Sequence, residues 1–281
     1  MNVCIIGLGL IGGSLARDLR RSGFAGTLTG CDLNLHHRKI ALQNKLVDSF
    51  LPLEEAIDQS ELIVLCAPVD SNCRMIGGIL DRIRGTRKVV TDMGSTKADI
   101  AGLVKFHPGR GRYVAVHPMA GTEYSGPAAA CDRLFENRIA IVCDRESSDA
   151  DAFKRVRQML ETLGMRLIYM DASDHDVHVA YVSHISHITS FALALSVLDK
   201  EKDQKNILSL AAGGFESTVR LAKSNADTWA PIFLHNSAPV LEVIDNYLEK
   251  INLFRQCIAE NNAEGLQNLM NEANKIRKIL R

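Results

Sequence analysis

Short apolar runs alternate with amphipathic segments through the first 170 residues. Together these runs are rich in Val and Ile. The seven runs are Val3 to Ile6, Thr27 to Cys31, Leu62 to Cys66, Lys88 to Thr91, Tyr113 to Val116, Ile139 to Cys143 and Arg166 to Met170. Continuous runs of this length are typical of buried parallel strands. The intervening segments, such as Ser14 to Ser22 before Gly23 and Asp151 to Leu163 before Gly164, have helical spacing and a glycine stop signal. The pattern predicts an α/β fold with a doubly wound parallel sheet.

The pattern changes after Met170, where strand-like alternation almost disappears. Four segments have helical spacing instead, and they are Asp174 to Leu198, Lys205 to Ser224, Thr228 to Ile251 and Leu253 to Leu280. We therefore predict two domains, a sheet domain over residues 1–170 and an all-helical domain over residues 171–281. Ser173 or Asp174 is expected to cap the long first helix of the second domain. The last segment has apolar stripes with few aromatic residues, which predicts that a second copy of the chain covers them in a homodimer.

The composition narrows the class of partner. With 281 residues the chain has room for two domains, and 46% hydrophobic residues supply their cores. Thirty-three basic residues balance thirty-three acidic residues, which favours a small-molecule partner over nucleic acid or anionic lipid. The seven scattered cysteines predict packed thiols in a reducing compartment and no metal site. No basic leader and no apolar run of about 18 residues is evident, so we expect a cytoplasmic protein that does not span a membrane.

A glycine-rich motif, Gly7-Leu8-Gly9-Leu10-Ile11-Gly12, directly follows the first strand and opens the first helix. In this setting such a loop binds the pyrophosphate of a dinucleotide at the helix N-terminus. Gly7 permits the tight turn, Gly9 lets the backbone approach the pyrophosphate, and Gly12 lets helix and strand pack closely. The spacing and its context predict a dinucleotide-binding (Rossmann) domain.

Asp32 ends the second strand, twenty residues beyond Gly12. A carboxylate at this place can accept hydrogen bonds from both ribose hydroxyls and would repel a 2′-phosphate, which favours NAD over NADP. His36 and Arg38 are close enough in sequence to leave some use of NADP open. Farther along, Ala67 and Pro68 follow the Leu62 to Cys66 strand at the level where such folds bind the cofactor, although a plain strand-to-helix turn explains them equally well.

Residues that follow the strands are the candidates for chemistry, because parallel sheets bind ligands beyond the carboxyl ends of their strands. Two polar loops stand out, Asp92 to Lys97, which contains Ser95, and His117 to Glu123. A histidine such as His117 can be neutral near pH 7 and can accept a proton while hydride leaves the adjoining carbon.

Two polar sets lie in the helical half. Ser183 and His187 are four residues apart and share a helix face that could cover the cleft, whereas His184 lies about 60° away from that face. Metal binding and plain packing stay open for these histidines, although an i, i+3 pair without an acidic third ligand makes a poor zinc site. Arg220 places a guanidinium near the start of another helix, and taken alone it would be a solvated surface charge.

The ordered set of motifs resembles the prephenate/arogenate dehydrogenase family over essentially the whole chain. The motifs that carry the resemblance are Gly7-x-Gly9-x-x-Gly12, Asp92-x-Gly94-Ser95-x-Lys97, His117-Pro118-Met119-Ala120-Gly121, Ser183-His184-x-x-His187 and Gly213-Gly214-Phe215-x-x-Thr218-x-Arg220. The resemblance implies NAD-dependent oxidative decarboxylation of prephenate to 4-hydroxyphenylpyruvate in tyrosine biosynthesis. It also implies that His117 accepts the hydroxyl proton and that Ser95 orients His117 and the nicotinamide.

The same resemblance implies roles for four residues around the substrate. Ser183 and His187 would line the pocket, Arg220 would pair with a substrate carboxylate, and Glu123 is similar to a residue that gates the pocket in the family. The chain departs from the family pattern at Glu216, where some relatives have a lysine near the substrate side chain. An acid there could favour the amino group of arogenate, but the family contains both specificities, and we expect prephenate.

Two other interpretations deserve comparison. A two-domain hydroxyacid or imine reductase would share the glycines and the helical half, but it needs a catalytic lysine soon after the domain junction, and Lys200, Lys202 and Lys205 come too late. A catalytically silent NAD-sensing module would need no polar residues beyond the cofactor motif. The presence of His117 and Ser95 argues against that module.

Overall fold

The computed structural model describes residues 1–204 and 206–279. Its eight-stranded sheet consists of β1 (Asn2–Ile6), β2 (Thr27–Cys31), β3 (Ser49–Phe50), β4 (Leu62–Leu65), β5 (Val89–Asp92), β6 (Tyr113–Pro118), β7 (Ile139–Cys143) and β8 (Arg166–Met170). The strand order is β3-β2-β1-β4-β5-β6-β7-β8. The predicted α/β class and all seven predicted strands are confirmed. The extra strand, β3, has only two residues and so gives no apolar run.

Two strands, β7 and β8, run against the other six, which corrects the predicted parallel sheet at this edge. β7 pairs antiparallel with β6, whereas the other neighbours are parallel. The segment that joins β6 to β7 contains only a short 3-10 turn, Pro127–Ala129, and no crossover helix of the kind that parallel neighbours require. The carboxyl end of β7 therefore lies at the opposite edge of the sheet from that of β6.

Twelve α-helices complete the described part of the chain. They are α1 (Leu10–Arg21), α2 (Leu35–Gln43), α3 (Leu53–Gln59), α4 (Val69–Ile83), α5 (Ala98–Val104), α6 (Ala150–Thr162), α7 (Ala172–Val179), α8 (Ile185–Asp203), α9 (Gly213–Thr218), α10 (Ala226–His235), α11 (Ser237–Ala259) and α12 (Ala263–Ala273). α1, α2 and α6 contribute to the core on one face of the sheet, and α3, α4, α5 and α7 contribute to the core on the other. Alternate strand residues point to the two cores, so the sheet is buried on both faces.

The helical half differs in detail from the prediction. The first helix begins at Ala172, and the backbone N–H of Ala172 donates to the carboxylate of Asp144, so neither Ser173 nor Asp174 is the cap. A π-helical turn, Ala180–His184, interrupts what was predicted as one long helix.

Two other predicted helices have their breaks elsewhere. The segment Thr228 to Ile251 is divided after His235, and the segment Leu253 to Leu280 is divided after Ala259. The second break follows from the left-handed backbone of Asn261 and from Asn262, whose side chain accepts from the N–H of Gly265 and caps α12. Lys205, Leu280 and Arg281 lie outside the described residues.

The chain divides into two compact units. The first, Met1–Asn236, contains the sheet, all helices through α10 and every predicted site residue. The second, Ser237–Arg281, contains α11 and α12, which pack against each other.

The continuous helical stretch Ala172–Asp203 is long and apolar enough to cross a membrane by length and composition, with a mean hydropathy of 1.3. Only 17% of its most apolar window is buried in the single chain. The same stretch carries His175, Asp176 and His184, which are buried and bonded within the first unit. Its polar residues therefore attach one face to the sheet domain and leave apolar residues such as Leu195 exposed.

Candidate active site

The glycine-rich loop joins β1 to α1. Gly7 has a left-handed backbone with φ of +92°, and a Cβ there would lie 2.6 Å from the backbone nitrogen of Ala67. A Cβ at Gly12 would overlap the carbonyl oxygen of Gly7. Gly9, which precedes α1, has nothing within 4 Å of its Cβ position. Two glycines therefore permit close backbone packing against the loop after β4, and the third leaves open space at the helix N-terminus, where a phosphate can approach.

The remaining residues of the predicted cofactor set lie around this loop. The side chains of Leu8 and Leu10 are buried. Ile11 packs against the core that α1, α2 and α6 form with one face of the sheet. Pro68 immediately precedes α4. Ala67 and Pro68 are thus brought beside the glycine loop, as predicted for a cofactor-binding edge.

Asp32 lies directly after β2, and its carboxylate accepts hydrogen bonds from two backbone N–H groups. Oδ2 accepts from Leu8 at 2.9 Å, and Oδ1 accepts from Asn34 at 2.8 Å. The carboxylate therefore ties the glycine-rich loop to the end of β2. Arg38 donates from Nε to the Asp32 carbonyl oxygen, with its guanidinium 5.7 Å from the centre of the Phe50 ring. Arg38, one of the two residues that left some use of NADP open, is thus bonded to the turn that contains Asp32.

A buried ion pair anchors the loop that contains Ser95. The Lys97 ammonium and the Asp92 carboxylate are in contact, and their side chains are 0% and 1% exposed. Asp92 also accepts from the Tyr113 hydroxyl at 2.7 Å and from the Gly94 backbone N–H at 2.9 Å. Because separating buried charges is costly, this network fixes the backbone on both sides of half-buried Ser95.

His117 lies near the end of β6 and is 8% exposed. Its Nδ1 is 2.8 Å from Nε2 of His175 on α7. Burial lowers the pKa of His117 well below its usual value, and the positive charges that His175, Lys97 and His184 carry when protonated act in the same direction. His117 is therefore neutral near pH 7 and can accept a proton. His175 thus makes an orienting contact with His117 that the sequence analysis did not predict.

Asp176 joins three parts of this region. Its Oδ1 accepts from the backbone N–H of Lys97 at 2.8 Å and lies 2.7 Å from Nδ1 of His175, and its Oδ2 accepts from the N–H of Ala98 at 2.8 Å. Asn236 donates from Nδ2 to the Asp176 carbonyl oxygen at 2.7 Å. One buried carboxylate thus connects the loop after β5 with α7.

The π-helical turn determines how Ser183, His184 and His187 are presented. His187 donates from Nδ1 to the Ser183 carbonyl oxygen at 3.1 Å, and its ring stacks on Trp229 with centroids 3.4 Å apart. His184 is buried and accepts from Nδ2 of Asn236, and burial lowers its pKa to about 4. His184 is therefore a packed, neutral histidine, whereas Ser183 and His187 remain partly exposed.

Arg220 and Glu123 form an ion pair on the first unit. The Arg220 guanidinium is 2.8 Å from Oε2 of Glu123, and the two side chains are 51% and 18% exposed. A hydrogen bond from its own backbone N–H, followed by the positive charges of Arg220 and Lys223, lowers the pKa of Glu123 below its usual value. An open cleft beside this pair is lined by Glu123, Tyr124, Ser125, Ala128, Ala129, Lys223 and Asn225.

Glu216, which departs from the family pattern, is paired with a neighbouring cation. Nζ of Lys223 lies 3.9 Å from Oε1 of Glu216, and both side chains are mostly exposed. Lys223 and Glu123 line the same cleft, and each is paired with an opposite charge, Glu216 and Arg220 respectively. Within residues 1–204 and 206–279, no group of three His, Cys, Asp or Glu side chains converges in a metal-binding arrangement.

The structure adds two residues that the sequence analysis did not single out, His175 and Asp176. A signal was present in Asp174-His175-Asp176, which places a histidine beside acids at the start of the second predicted domain. That pattern is equally typical of a solvated first helical turn. Only the burial of His175 and its contact with His117, 58 positions away, distinguish the two.

Two family models match consecutive parts of the chain. Residues 15–169 match the nucleotide-binding domain of prephenate dehydrogenase, and residues 171–272 match the prephenate dehydrogenase dimerization domain. The first model includes Ser95, His117 and Glu123, and the second includes Ser183, His187 and Arg220.

Individual proteins are similar to the chain over nearly its whole length. The prephenate dehydrogenase of Lactococcus lactis subsp. cremoris is 28% identical, over 99% of this chain and 77% of that protein. The cyclohexadienyl dehydrogenase of Zymomonas mobilis subsp. mobilis is 29% identical, over 100% and 96%. The crystal structure of prephenate dehydrogenase from Aquifex aeolicus with hydroxyphenyl propionate and NAD+ has a TM-score of 0.84 and 29% identity, over 99% and 98%.

Proposed function

Since the chain belongs to the prephenate dehydrogenase family, we propose that its cleft takes prephenate in preference to arogenate. The activity is the NAD-dependent oxidative decarboxylation of prephenate to 4-hydroxyphenylpyruvate, a step of tyrosine biosynthesis. Family membership confirms the resemblance and disfavours a hydroxyacid or imine reductase. The observation that carries the assignment is a buried, neutral His117 on the same sheet as the glycine-rich loop.

The residues of the cofactor loop fit NAD. Open space at Gly9, at the N-terminus of α1, suits a pyrophosphate, and the Asp32 carboxylate at the end of β2 suits the ribose hydroxyls. The Aquifex aeolicus relative binds NAD+ and hydroxyphenyl propionate. When bound, NAD accepts the hydride from the ring carbon that bears the hydroxyl. The carboxylate of Asp32 disfavours the additional phosphate of NADP.

His117 is the proposed proton acceptor for the substrate hydroxyl. Its Nδ1 is engaged with His175, which leaves Nε2 for the substrate. Removal of that proton, hydride loss and departure of CO₂ together leave an aromatic ring, so the protein needs to position the substrate and exclude water. Ser95, on the rigid loop beside Lys97, is proposed to orient His117 and the nicotinamide.

The substrate carboxylates require cations, and the rim of the cleft supplies them. Arg220 is proposed to bind one carboxylate through its planar guanidinium, which forms two parallel hydrogen bonds with a carboxylate. Glu123 holds Arg220 in this structure and is proposed to release it when substrate enters. Ser183 and His187 are proposed to line the pocket, with Trp229 stacked behind His187.

The assembly and the location are also proposals. The domain boundary between residues 170 and 171 is supported by the two family models, which meet there. A homodimer through the helical domain is supported by the dimerization-domain match and by exposed apolar residues such as Leu195, Leu241 and Ile258. The proposed dimer would also cover exposed apolar residues of the Ala172–Asp203 stretch, such as Leu195. A cytoplasmic enzyme is consistent with seven free thiols.

The experiment that tests the function follows NADH formation at 340 nm with prephenate and, separately, with arogenate, and identifies the product by chromatography. We expect a higher kcat/KM with prephenate and 4-hydroxyphenylpyruvate as the product. NADP in place of NAD is the control for the cofactor assignment. A higher kcat/KM with arogenate would contradict the proposed specificity, and no NADH with either substrate would contradict the proposed activity.

A further inference from the structure

His117 is the outer member of a buried row of three side chains. Its Nδ1 is 2.8 Å from Nε2 of His175, and Nδ1 of His175 is 2.7 Å from Oδ1 of Asp176. The three residues are 8%, 0% and 2% exposed. We infer that His175 and Asp176 are positioning residues that fix the tautomer of His117 and stabilise its protonated form. This inference rests on the proposed role of His117 as the base.

The order of protons along the row follows from the chemistry of its members. An ionised carboxylate only accepts hydrogen bonds, so Nδ1 of His175 carries a proton and donates it to Asp176. Neutral His175 then has its lone pair on Nε2, so it must accept from Nδ1–H of His117. The remaining lone pair of His117 lies on Nε2. The row thus selects the one neutral tautomer in which Nε2 of His117 can act as a base.

The row also compensates for burial once His117 has taken the proton. Burial opposes a charge on either imidazole, and Lys97 and His184 face His117 with charges of the same sign when protonated. A protonated His117 donates from Nδ1 to neutral His175, whose own N–H points to the negative charge of Asp176. Asp92 is a second acid that favours a proton on this pair. Hydrogen bonds of this charge-assisted kind are stronger than neutral ones.

The same carboxylate positions the loop that contains Ser95. Asp176 accepts from the backbone N–H groups of Lys97 and Ala98, at 2.8 Å each. The Asp176 carboxylate therefore holds both the loop that contains Ser95 and, through His175, the proposed base His117. A change at Asp176 is expected to disturb both, whereas a change at His175 disturbs the base alone.

The kinetic test compares substitutions of different length at one position. In His175→Asn the side-chain amide takes the position of Nδ1 of the histidine ring but does not extend to the position of Nε2. It can therefore hydrogen-bond with Asp176 but not with His117. We expect kcat to fall about 10- to 100-fold, the value of one hydrogen bond to a charged group, with KM for prephenate and for NAD nearly unchanged. We also expect the acid limb of kcat/KM to move to lower pH, because the protonated form of His117 has lost its acceptor. His175→Gln puts an oxygen near the place of Nε2 and should recover part of kcat.

The matched control is His178→Asn, an exposed histidine one turn along the same helix, which should leave kcat and the pH profile unchanged. Thermal melting by circular dichroism checks that each variant is folded. A folded His175→Asn variant with wild-type kcat and pH profile would overturn the inference. So would a loss of kcat without any shift of the acid limb and without recovery in His175→Gln, since a purely structural role predicts that result.

A second measurement needs neither substrate nor cofactor. In protein labelled with 15N-histidine, two-dimensional NMR distinguishes protonated from unprotonated ring nitrogens. We expect neutral His117 to have its proton on Nδ1 in the wild type and to populate both tautomers in His175→Asn. A wild-type His117 protonated on Nε2 would refute the inference even if turnover is normal. The expected tautomer in a protein that oxidises neither prephenate nor arogenate would refute the proposed function and leave only the assignment of the tautomer by His175 and Asp176 standing.

Discussion

The two sides of the site hold their charges in opposite ways. On the sheet side, Lys97 and Asp92 are completely buried and in contact. On the helical side, the side chain of Arg220 is 51% exposed in its pair with Glu123. Breaking a buried pair leaves an uncompensated charge, whereas an exposed pair contributes at most about 1 kcal/mol. The difference indicates that the region proposed for proton transfer is rigid, whereas the pair proposed to bind the substrate can rearrange.

The largest effect is expected on the rigid side, from His117→Asn. Asparagine is smaller and cannot accept the substrate proton, while the glycine-rich loop and Asp32 follow other strands, β1 and β2. We predict a loss of kcat of about 10²- to 10⁴-fold, the usual contribution of a general acid or base, with unchanged affinity for NAD. Steady-state kinetics measure kcat, and equilibrium dialysis with NAD measures the affinity for the cofactor.

The pH dependence sharpens the same test. Because burial keeps the pKa of His117 low, wild-type kcat/KM should rise as the pH passes that pKa and then stay level through neutrality. In His117→Asn this limb should disappear. Near-normal turnover in the variant would remove the proposed base and, with it, the contrast between the two sides.

An intermediate effect is expected at Arg220, on the movable side. An ion pair that clamps a substrate carboxylate stabilises the ground state as well as the transition state, so it serves binding more than chemistry. Arg220→Gln should raise KM for prephenate about 10- to 100-fold, the value of a hydrogen bond between charged groups, and should change kcat much less. The opposite split between KM and kcat would place Arg220 in the chemical step.

Two variants control this prediction. Arg220→Lys keeps the charge but loses the planar pair of donors, and it should give an intermediate KM. Glu123→Gln removes the carboxylate that holds Arg220 at 2.8 Å, so it should leave Arg220 free and lower KM slightly. A higher KM in Glu123→Gln would show that the acid orients the guanidinium for binding instead of competing with substrate.

The rigid side was largely predictable from the sequence, and the movable side less so. Buried strands and the glycine loop leave a local pattern, so His117 and Ser95 could be placed at the ends of β6 and β5. The reversed direction of β7 and β8 could not be predicted, because it depends on the path of the connection between β6 and β7, which contains no crossover helix. His175 and Asp176 were missed for a similar reason, since their burial follows from tertiary packing that a polar helical turn does not reveal.

Local geometry changed the interpretation of the helical side. An ideal helix predicts that Ser183 and His187 present their side chains together. The π-helical turn over Ala180–His184 alters that phase, and the ring of His187 bonds the Ser183 backbone and stacks on Trp229. Charges such as Glu216 are even less predictable, because their partners are long exposed side chains such as Lys223.

The smallest effect is expected at Glu216. Prephenate has a keto group where arogenate has an ammonium group, so a negative charge at the rim should favour arogenate slightly. Glu216→Gln leaves Lys223 unpaired and should raise the ratio of kcat/KM for prephenate to that for arogenate about two- to five-fold, the range of an exposed ion pair. Added salt should reduce the difference, because exposed charges are screened.

The matched control for that prediction is Glu146→Gln, an exposed acid just after β7 at the opposite edge of the sheet. It removes the same charge from the protein without touching the cleft, so the substrate ratio should not change. An equal shift in both variants would assign the effect to net charge rather than to the rim. If the ratio of kcat/KM for the two substrates stays constant in Glu216→Gln at low salt, Lys223 already neutralises the charge of Glu216. The choice between prephenate and arogenate would then depend on Arg220 and the buried residues of the sheet side.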